Sequence, residues 1–326
     1  MASPLLTLPS MGADLGRVER ALREAVVSDN AFLTEIASHL ILAGGKRLRP
    51  ALAIAAASVT SPDAGPVSQD VIMGAAAVEL VQVGSLYHDD VIDEAQTRRT
   101  VESVNARWGN LRAILAGDFL LAKASEIAAS LGTEVAGLLA ATIGRLCDGE
   151  VRELQSAFDV ERTEADYYAS IDGKTAALFA TSARIGAIVA GHDRPMIDAL
   201  TVYGHRLGVA FQIVDDVLDL TASEGELGKP TGHDLYEGVY TLPVLRTLAH
   251  DTAASGELRD LLGHPIEGVE LEKALGIVRS NGGVPDAVAA AKAEVDAACA
   301  ALDGFPSTPA TDALRSGAAH LVATVA

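Results

Sequence analysis

The sequence predicts an all-α fold, because its composition and the spacing of its apolar residues both favour helices. Hydrophobic residues make up 49% of the chain and aromatic residues only 4%. Alanine is frequent throughout, which favours closely packed helices over a sheet rich in aromatic and β-branched side chains. Alternating Val, Ile and Thr runs are absent, so no strand is predicted. We therefore expect one large helical bundle.

The predicted helices follow one another with short breaks between them. Gly44–Gly45, SPDAGP at 61–66 and GHDRP at 191–195 contain the helix-breaking residues. We predict a single domain over 1–326, because large helical proteins of this length often form one. Apolar residues recur with helical spacing over 29–43, 49–60, 67–94, 104–130, 133–157, 164–191 and 195–221, with shorter helices over 251–326.

The net charge of −19 argues against nucleic acid or an anionic membrane surface as a general partner. An acidic protein can still bind an anionic substrate through cations or local basic clusters. Cys147 and Cys299 match no metal or disulfide framework, which predicts a cytoplasmic setting. The N-terminal stretch lacks the charged region of a signal peptide. Glu134 and Arg184 interrupt the longest apolar runs, so no transmembrane helix is expected.

Three aspartates crowd into DDVID at 89–93, and the pattern returns as DDVLD at 215–219. On a helix, positions i and i+4 stack on one face roughly 5.4 Å apart, so the first and last aspartates of each cluster project together. A solvated polar face is the usual explanation for such charges. Here apolar residues surround both clusters, which predicts buried helices, and buried carboxylates need cations.

Each cluster extends into a polar stripe on an otherwise apolar helix. Gln82 and Ser85 precede the first cluster, and Gln212 precedes the second. All-oxygen sites without Cys or a suitable His pair suit Mg²⁺ better than Zn²⁺, with Mn²⁺ as a substitute. The predicted metal ligands are Asp89, Asp90, Asp93, Asp215, Asp216 and Asp219.

Short basic clusters offer contacts for phosphate. In GGKRLRP one cation can complement the end of a helix, while Lys46 and Arg49 are predicted to point together. Arg98 and Arg99 follow the first aspartate cluster, and adjacent arginines point in different directions, so the pair can bind two anions.

Two further lysines are candidates. Lys174 and Thr175 follow a glycine inside an apolar helix, where a lysine has little structural reason to be. Lys229 lies in a Gly- and Pro-rich loop after the second cluster. Closure of that loop over phosphate and a solvated surface lysine are both compatible with its position.

Five motifs occur in one order: GGKRLRP, HDDVIDEAQTRR, GKTA, FQIVDDVLDL and GKPTGHDLYEGVYTLP. This combination resembles the all-trans polyprenyl diphosphate synthases, of the medium- and long-chain bacterial type, over roughly residues 40–250. The resemblance implies the isoprenoid synthase fold, a single all-α domain whose helices surround a central cavity. It also implies that the two aspartate-rich helices face each other across the mouth of that cavity, and that the protein is a homodimer.

The resemblance also assigns roles to residues. The six aspartates would hold Mg²⁺ on an allylic diphosphate, and Asp89, Asp90, Asp93, Arg98, Lys174, Asp215 and Asp216 are the predicted catalytic residues. The residues matched to the allylic diphosphate are Arg98, Lys174, Gln212 and Lys229, and Thr175 is placed with them. Those matched to isopentenyl diphosphate are Lys46, Arg49, Gln82 and Arg99.

The implied reaction lengthens a prenyl chain by five carbons. The allylic C–O bond ionises as cations stabilise the departing pyrophosphate, the alkene of isopentenyl diphosphate attacks, and a proton is lost. The expected primer is farnesyl or geranylgeranyl diphosphate. The expected product is an all-trans polyprenyl diphosphate of C20 or longer, about C30–C50 by the resemblance, released with a transient membrane contact.

Product length is predicted to depend on residues one and two turns upstream of Asp89, which would line the path of the growing chain. These are Val81, Gly84 and Ser85. Short-chain members of the resembled family often carry aromatic residues at this level, and here the residues are small. Close helix packing is the other explanation for small residues in so alanine-rich a chain.

Two positions depart from the family pattern. Family members often follow the arginine pair with Gly-x-Pro, where this chain has Thr100, Val101 and Glu102, and many have Lys where it has Val239. The first difference concerns the shape of the arginine turn, and the second concerns the grip on the allylic diphosphate.

Three alternatives stay open. The first is a farnesyl or geranylgeranyl diphosphate synthase with a shorter product. The second is a class I terpene cyclase, which shares the first aspartate motif but needs no GGKRLRP and normally has Asn, Ser or Thr and Glu in its second motif. The third is a non-catalytic subunit of a heteromeric synthase, although such subunits tend to lose aspartates and none is lost here.

Overall fold

The computed structural model describes residues 3–222 and 231–325, which are mainly helical. A 3₁₀-helix spans Pro4–Thr7, and a π-helix spans Asp172–Ala176. The α-helices are α1 (Met11–Ala25), α2 (Ala31–Leu42), α3 (Leu48–Ala57), α4 (Gln69–Ile92), α5 (Val104–Trp108), α6 (Asn110–Ser130), α7 (Thr133–Gln155), α8 (Glu164–Ile171), α9 (Ala177–Val189), α10 (Arg194–Thr221), α11 (His233–Tyr236), α12 (Leu242–Ala249), α13 (Ala253–Leu261), α14 (Gly268–Ser280), α15 (Gly283–Ala301) and α16 (Pro309–Val322). The all-α prediction is confirmed.

The structure departs from the predicted elements in three places. A short antiparallel hairpin pairs β1 (Thr97–Arg98) with β2 (Val101–Glu102), so the prediction of no strand is wrong there. Gly109, at φ 87°, divides the predicted helix over 104–130 into α5 and α6. The helix α1 was not predicted, because only a narrow stripe of its mainly polar surface is apolar and buried.

The chain divides into two compact units. The first comprises Met1–Ile143, Leu178–Gly204 and Leu302–Gly317, and the second comprises Gly144–Ala177, His205–Ala301 and Ala318–Ala326. Each unit is assembled from separate stretches of the sequence. A single domain over 1–326 stays a prediction.

The long helix α4 lies at the centre of the first unit, where it packs along α6 and against α1 and α3. Between Val71 and Gly84 nearly every residue of α4 is buried, in agreement with the apolar pattern that precedes the first aspartate cluster. By length and composition α4 could cross a membrane, but 72% of its apolar window is buried inside the protein, which is where a core helix lies. No other helix over 3–222 or 231–325 is both long and apolar enough to do so.

Two glycines allow α4 and α6 to approach closely. A Cβ atom at Gly84 would lie 3.2 Å from the carbonyl oxygen of Gly117. A Cβ atom at Gly117 would lie 3.1 Å from the carbonyl oxygen of Gly84 and 2.3 Å from His88 Nε2. Larger side chains at either position would push the two helices apart. The two glycines therefore set the distance between α4 and α6 at this crossing.

The second unit is organised around buried polar side chains as well as apolar ones. Arg162 is buried and donates hydrogen bonds to the carbonyl oxygen of Tyr240 at 3.1 Å and to Ser170 Oγ at 3.1 Å. Thr163 and Asp166 form a reciprocal capping box that begins α8, which satisfies backbone donors at the start of that helix. These contacts hold α8 in place beside the segment that carries Lys174.

We expect Gly117→Ala to lower the free energy of unfolding by about 1–3 kcal/mol, the usual cost of overpacking a close contact. Gly137→Ala is the matched control, because it lies on the helix α7 with nothing within 4 Å of the added Cβ atom. Replacing an unhindered helical glycine by alanine should stabilise the protein by about 0.5–1 kcal/mol. Urea unfolding of both variants checks the prediction, and equal stabilities would contradict the close crossing of α4 and α6.

Candidate active site

Asp90 is the fully buried member of the first aspartate cluster. Arg98 Nε donates a hydrogen bond to Asp90 Oδ1 at 2.6 Å, and Arg98 Nη2 lies 2.6 Å from the same oxygen. Burial raises the pKa of Asp90, although Arg98 opposes that change. Asp89 is half-buried, and Asp93 is exposed at the end of α4.

The donor set of this cluster fits a hard divalent cation. Within 3–222 and 231–325, the second oxygen of Asp90, Oδ2, is buried without a hydrogen-bond partner, so it is available to a cation. In the same part of the chain no three His, Cys, Asp or Glu side chains form a complete metal cage. Mg²⁺ needs no such cage, because it commonly binds one or two carboxylates and completes its coordination with phosphate oxygens and water.

Arg98 is the last residue of β1, and Arg99 lies in the tight turn between β1 and β2. Arg99 and Thr100 form the two-residue loop, with φ values of 53° and 65°. Both values are in the left-handed region, which matches the twist of a two-residue hairpin but costs about 1–2 kcal/mol for a residue other than glycine. Thr100, which occupies the place of the family glycine, is therefore a strained turn residue.

This turn makes the two arginines diverge, as the sequence predicted. Arg98 points to Asp90, whereas Arg99 donates hydrogen bonds to the carbonyl oxygens of Leu40, at 3.0 Å, and Gly44. The side chain of Arg99 thus reaches back to the end of α2 and joins the loop that carries GGKRLRP.

The loop between α2 and α3 is built around two arginines. Gly45 has φ 150°, and a Cβ atom there would lie 2.9 Å from Arg99 Cζ, so only glycine leaves room for that guanidinium. Arg47 is buried, and it binds Glu19 Oε1 and Glu79 Oε1 at 2.6 Å each. Arg47 is therefore the structural cation among the three basic residues of this motif.

The other two basic residues of GGKRLRP, Lys46 and Arg49, differ in their surroundings. Lys46 is exposed, and the guanidinium carbon of Arg49 lies 4.5 Å from the centre of the Phe179 ring. Burial lowers the pKa of Arg49 to about 10, with further lowering by Arg99 and an opposing effect from Glu79. Arg49 remains cationic at neutral pH.

Glu79 is a functional candidate that the sequence analysis missed. It is only 3% exposed, it binds Arg47, and Arg99 Nη2 lies 3.8 Å from its Oε1 atom. The signal was present, because this carboxylate stands alone in the apolar run AAAVELV. Gln82 lies on the same helix one turn later and is half-buried.

The second aspartate cluster, on α10 in the second unit, differs in the exposure of its members. Asp215 is exposed, whereas Asp216 and Asp219 are each 3% exposed. Tyr167 Oη donates a hydrogen bond to Asp216 Oδ2 at 2.5 Å, and Gln212 Nε2 donates to Asp216 Oδ1 at 2.8 Å. Burial raises the pKa of Asp216 to about 7, while these two hydrogen bonds oppose the change.

Two predicted substrate contacts take part in that network. Thr175 Oγ1 donates a hydrogen bond to Gln212 Oε1 at 2.6 Å, and Gln212 in turn holds Asp216. The backbone N–H of Asp234 donates to Asp219 Oδ2 at 3.2 Å. In this structure Thr175 and Gln212 therefore support a carboxylate, and Tyr167 is a supporting residue that sequence patterns did not reveal.

Lys174 lies on the π-helix, a feature often found at functional sites. A Cβ atom at Gly149 would lie 2.3 Å from the backbone nitrogen of Lys174, so α7 passes very close to this turn. Lys174 Nζ binds Glu153 Oε1 at 2.5 Å and Glu150 Oε2 at 2.9 Å. Burial opposes ionisation, but the two carboxylates together raise the pKa of Lys174.

The two glutamates explain why a lysine is tolerated in an apolar segment. Glu150 and Glu153 are three residues apart on α7, so both face the same side of that helix. The spacing in GEVRELQ was the available sequence signal, but it does not reveal which segment packs against it.

Lys229 and Val239 are the two remaining positions for which the sequence predicted an effect on phosphate binding. Lys229 lies outside the described residues, so its predicted contact with phosphate stays a prediction. Val239 is half-buried and, being apolar, supplies no cation at the position where many family members have lysine.

The three residues predicted to control product length lie on α4 in different surroundings. Val81 is fully buried, and Ser85 is half-buried with its hydroxyl donating to the carbonyl oxygen of Gln82 at 3.0 Å. A Cβ atom at Gly84 would lie 3.2 Å from Leu121. The close-packing explanation therefore fits Gly84, and Ser85 is the better position at which to test the path of the chain.

Two helices carry a DDxxD motif, DDVID on α4 and DDVLD on α10, and the similarities to known proteins show that this helical fold is the isoprenoid synthase fold. Residues 30–277 match the sequence profile of the family described as polyprenyl synthetase. The heptaprenyl diphosphate synthase component 2 of Geobacillus stearothermophilus is 36% identical over 309 residues, 94% of this chain and 95% of that protein.

Two solved structures are similar over nearly the whole chain. The polyprenyl synthase from Caulobacter crescentus, complexed with calcium and isoprenyl diphosphate, has a TM-score of 0.91 and 34% identity, covering 99% of this chain and 98% of the other. The geranylgeranyl pyrophosphate synthase from Corynebacterium glutamicum, also complexed with calcium and isoprenyl diphosphate, has a TM-score of 0.84 and 39% identity, covering 97% and 98%. The chain belongs to the polyprenyl synthetase family, and it is a trans-prenyltransferase.

The pKa of Asp216 predicts a pH-dependent stability. A folded-state pKa of about 7, above the unfolded value of roughly 3.9, gives a stabilisation that is complete below about pH 4 and is lost as the pH rises through 7. Asp216→Asn removes this dependence. The free energy of unfolding of Asp216→Asn minus that of the unchanged protein, both measured with chelator present, should therefore increase by about 2 kcal/mol between pH 5 and pH 8. Urea unfolding at both pH values measures it, and a constant difference would contradict the assigned environment.

Proposed function

We propose that this prenyltransferase is a Mg²⁺-dependent polyprenyl diphosphate synthase. It would condense isopentenyl diphosphate with farnesyl or geranylgeranyl diphosphate and give an all-trans product of C20 or longer, about C30–C50 by family resemblance. The observation that carries the proposal is the pair of complete DDxxD clusters together with a separate arginine set around Glu79. The calcium and isoprenyl diphosphate present in two related structures support it.

The aspartates are proposed to bind the metal. When bound, Mg²⁺ would neutralise the allylic diphosphate and stabilise the pyrophosphate that departs. Tyr167 and Gln212 hold Asp216 in a fixed orientation by hydrogen bonds to its two oxygens. The residues that would hold the ions are Asp89, Asp90, Asp93, Asp215, Asp216 and Asp219.

The basic residues are proposed to divide between the two diphosphates. Lys174 and Arg98 lie beside carboxylates and would add cationic contacts to the allylic diphosphate. Arg49 and Arg99 would bind isopentenyl diphosphate, with Lys46 and Gln82 beside them. No protein nucleophile is required, and the departing pyrophosphate would accept the proton that is lost after condensation.

Product length is the main alternative within this reaction class. A geranylgeranyl pyrophosphate synthase is 39% identical to this chain, so a C20 product is the shorter candidate. A terpene cyclase is less well supported, because the second cluster is DDVLD and because a cyclase needs no GGKRLRP motif.

The assembly and location are also proposals. Leu111, Ile114 and Leu115 share one face of α6 and are 72%, 41% and 57% exposed, an apolar surface that suits a second copy of this chain. The Geobacillus relative is named as one component of a synthase, so a heteromeric partner is the alternative. Cys147 and Cys299 form no disulfide in the described part of the chain, which supports a cytoplasmic location.

The metal proposal predicts that activity requires Mg²⁺ or Mn²⁺. Purified protein with farnesyl diphosphate, isopentenyl diphosphate and Mg²⁺ should form prenyl product without any partner. Asp89→Ala or Asp215→Ala should lower kcat by roughly 10²-fold or more, similar to the loss of one preorganised electrostatic group, without lowering thermal stability. Full turnover in excess chelator would reject the metal, and a strict need for a second protein would reject the self-sufficient synthase.

The chain-length proposal is tested at Ser85. Ser85→Phe would place an aromatic ring roughly 5.4 Å, one turn, before Asp89 and should shift the products towards C15–C20 while sparing the first condensation. Ser85→Ala is the matched control and should leave the product length unchanged. Chromatographic sizing of the products decides, and an unchanged length in an active Ser85→Phe variant would place the path of the chain elsewhere.

A further inference from the structure

We propose that Glu79 is a positioning residue that orients the arginines of the isopentenyl diphosphate site; this inference rests on the proposed function. Glu79 lies on α4, ten residues before Asp89, and its carboxylate is 3% exposed. Neither of the two arginines assigned to isopentenyl diphosphate is adjacent to it in the sequence. The fold brings GGKRLRP and the arginine turn together at this one carboxylate.

The contacts link the two arginine segments. Arg47 Nη1 binds Glu79 Oε1 at 2.6 Å, which fixes the start of α3 two residues before Arg49. Arg99 Nη2 lies 3.8 Å from the same oxygen, and its guanidinium packs against Gly45. Glu79 thus neutralises cations from both segments that would otherwise repel one another.

Removing the charge of Glu79 would destabilise the arginines that it contacts. A buried cation that loses its partner is strongly unfavourable, so these guanidiniums would turn towards other acceptors or solvent. Arg49 has a buried Nε without a hydrogen-bond partner among the described residues, and it is held by packing on Phe179. Its direction therefore depends on the position of the neighbouring backbone, which Arg47 and Glu79 determine.

A positioning role and a purely electrostatic role of Glu79 predict opposite changes in the affinity for isopentenyl diphosphate. If Glu79 acted only through its negative charge, neutralising it would raise the local positive potential and strengthen the binding of an anion. If Glu79 positions the arginines, neutralising it weakens that binding, because the bidentate geometry that arginine offers to phosphate is lost. The sign of the change separates the two roles.

The experiment compares Glu79→Gln with Glu19→Gln by calorimetric titration of isopentenyl diphosphate and by steady-state kinetics. Glu19 also binds Arg47 at 2.6 Å, but its side chain is 28% exposed, and no contact joins it to Arg99 in the described structure. We expect Glu79→Gln to raise Kd and KM for isopentenyl diphosphate about tenfold, equivalent to about 1.4 kcal/mol. Its kcat at saturation and its KM for the allylic substrate should stay within about twofold, a margin of roughly 0.4 kcal/mol. Glu19→Gln should match the unchanged protein in all four quantities.

Glu79→Asp keeps the charge but withdraws the carboxylate by one methylene, and it carries the test if Glu79→Gln does not fold. Positioning predicts weaker binding of isopentenyl diphosphate in Glu79→Asp, whereas a role through charge alone predicts unchanged binding. Binding in Glu79→Gln that equals or exceeds that of the unchanged protein overturns the inference. Failure of the unchanged protein to bind isopentenyl diphosphate overturns the proposed function, and the inference with it.

Discussion

Compensation of buried carboxylates on α4 is the constraint on which the rest of the first unit depends. Glu79 and Asp90 lie in a helix packed into the core, and a buried carboxylate is tolerated only beside cations or hydrogen-bond donors. Their cations are Arg47 of the GGKRLRP loop and Arg98 of strand β1. Two of the basic residues that the proposed function assigns to substrate, Arg98 and Arg99, therefore contact these acidic side chains.

Buried charged groups in the second unit are also compensated, but by different partners. Asp216 is held by neutral donors, Tyr167 and Gln212, whereas Lys174 is held by two glutamates of α7. Burial raises the pKa of Asp216, and its two hydrogen bonds oppose that rise without cancelling it. The lysine, in contrast, is kept fully charged.

Close backbone approaches place these charged side chains. Gly45 leaves room for the guanidinium of Arg99, Gly149 allows α7 to contact the π-helix at Lys174, and Gly117 leaves room for His88. At each point a Cβ atom would come within 3 Å of the neighbouring group. Thr100 shows the opposite case, because a β-branched residue occupies a left-handed turn position at a local cost in strain.

The sequence by itself determined the helical class, most helix positions and the two aspartate clusters, because apolar periodicity and i, i+4 spacing are local properties of the chain. The sequence also predicted that the side chains of Arg98 and Arg99 point in different directions. Local patterns did not reveal the hairpin turn, because Arg99 and Thr100 have positive φ values at positions where glycine is usual.

Only the tertiary structure decided which charges compensate one another. Glu79 with Arg47, Tyr167 with Asp216 and Lys174 with Glu153 are each more than twenty residues apart in sequence. Such pairs depend on which helices pack together, and apolar periodicity gives only the face that a helix buries. The structure likewise showed that Gly84 faces the backbone of α6, since helix spacing alone cannot distinguish a packing glycine from one that lines a path for substrate.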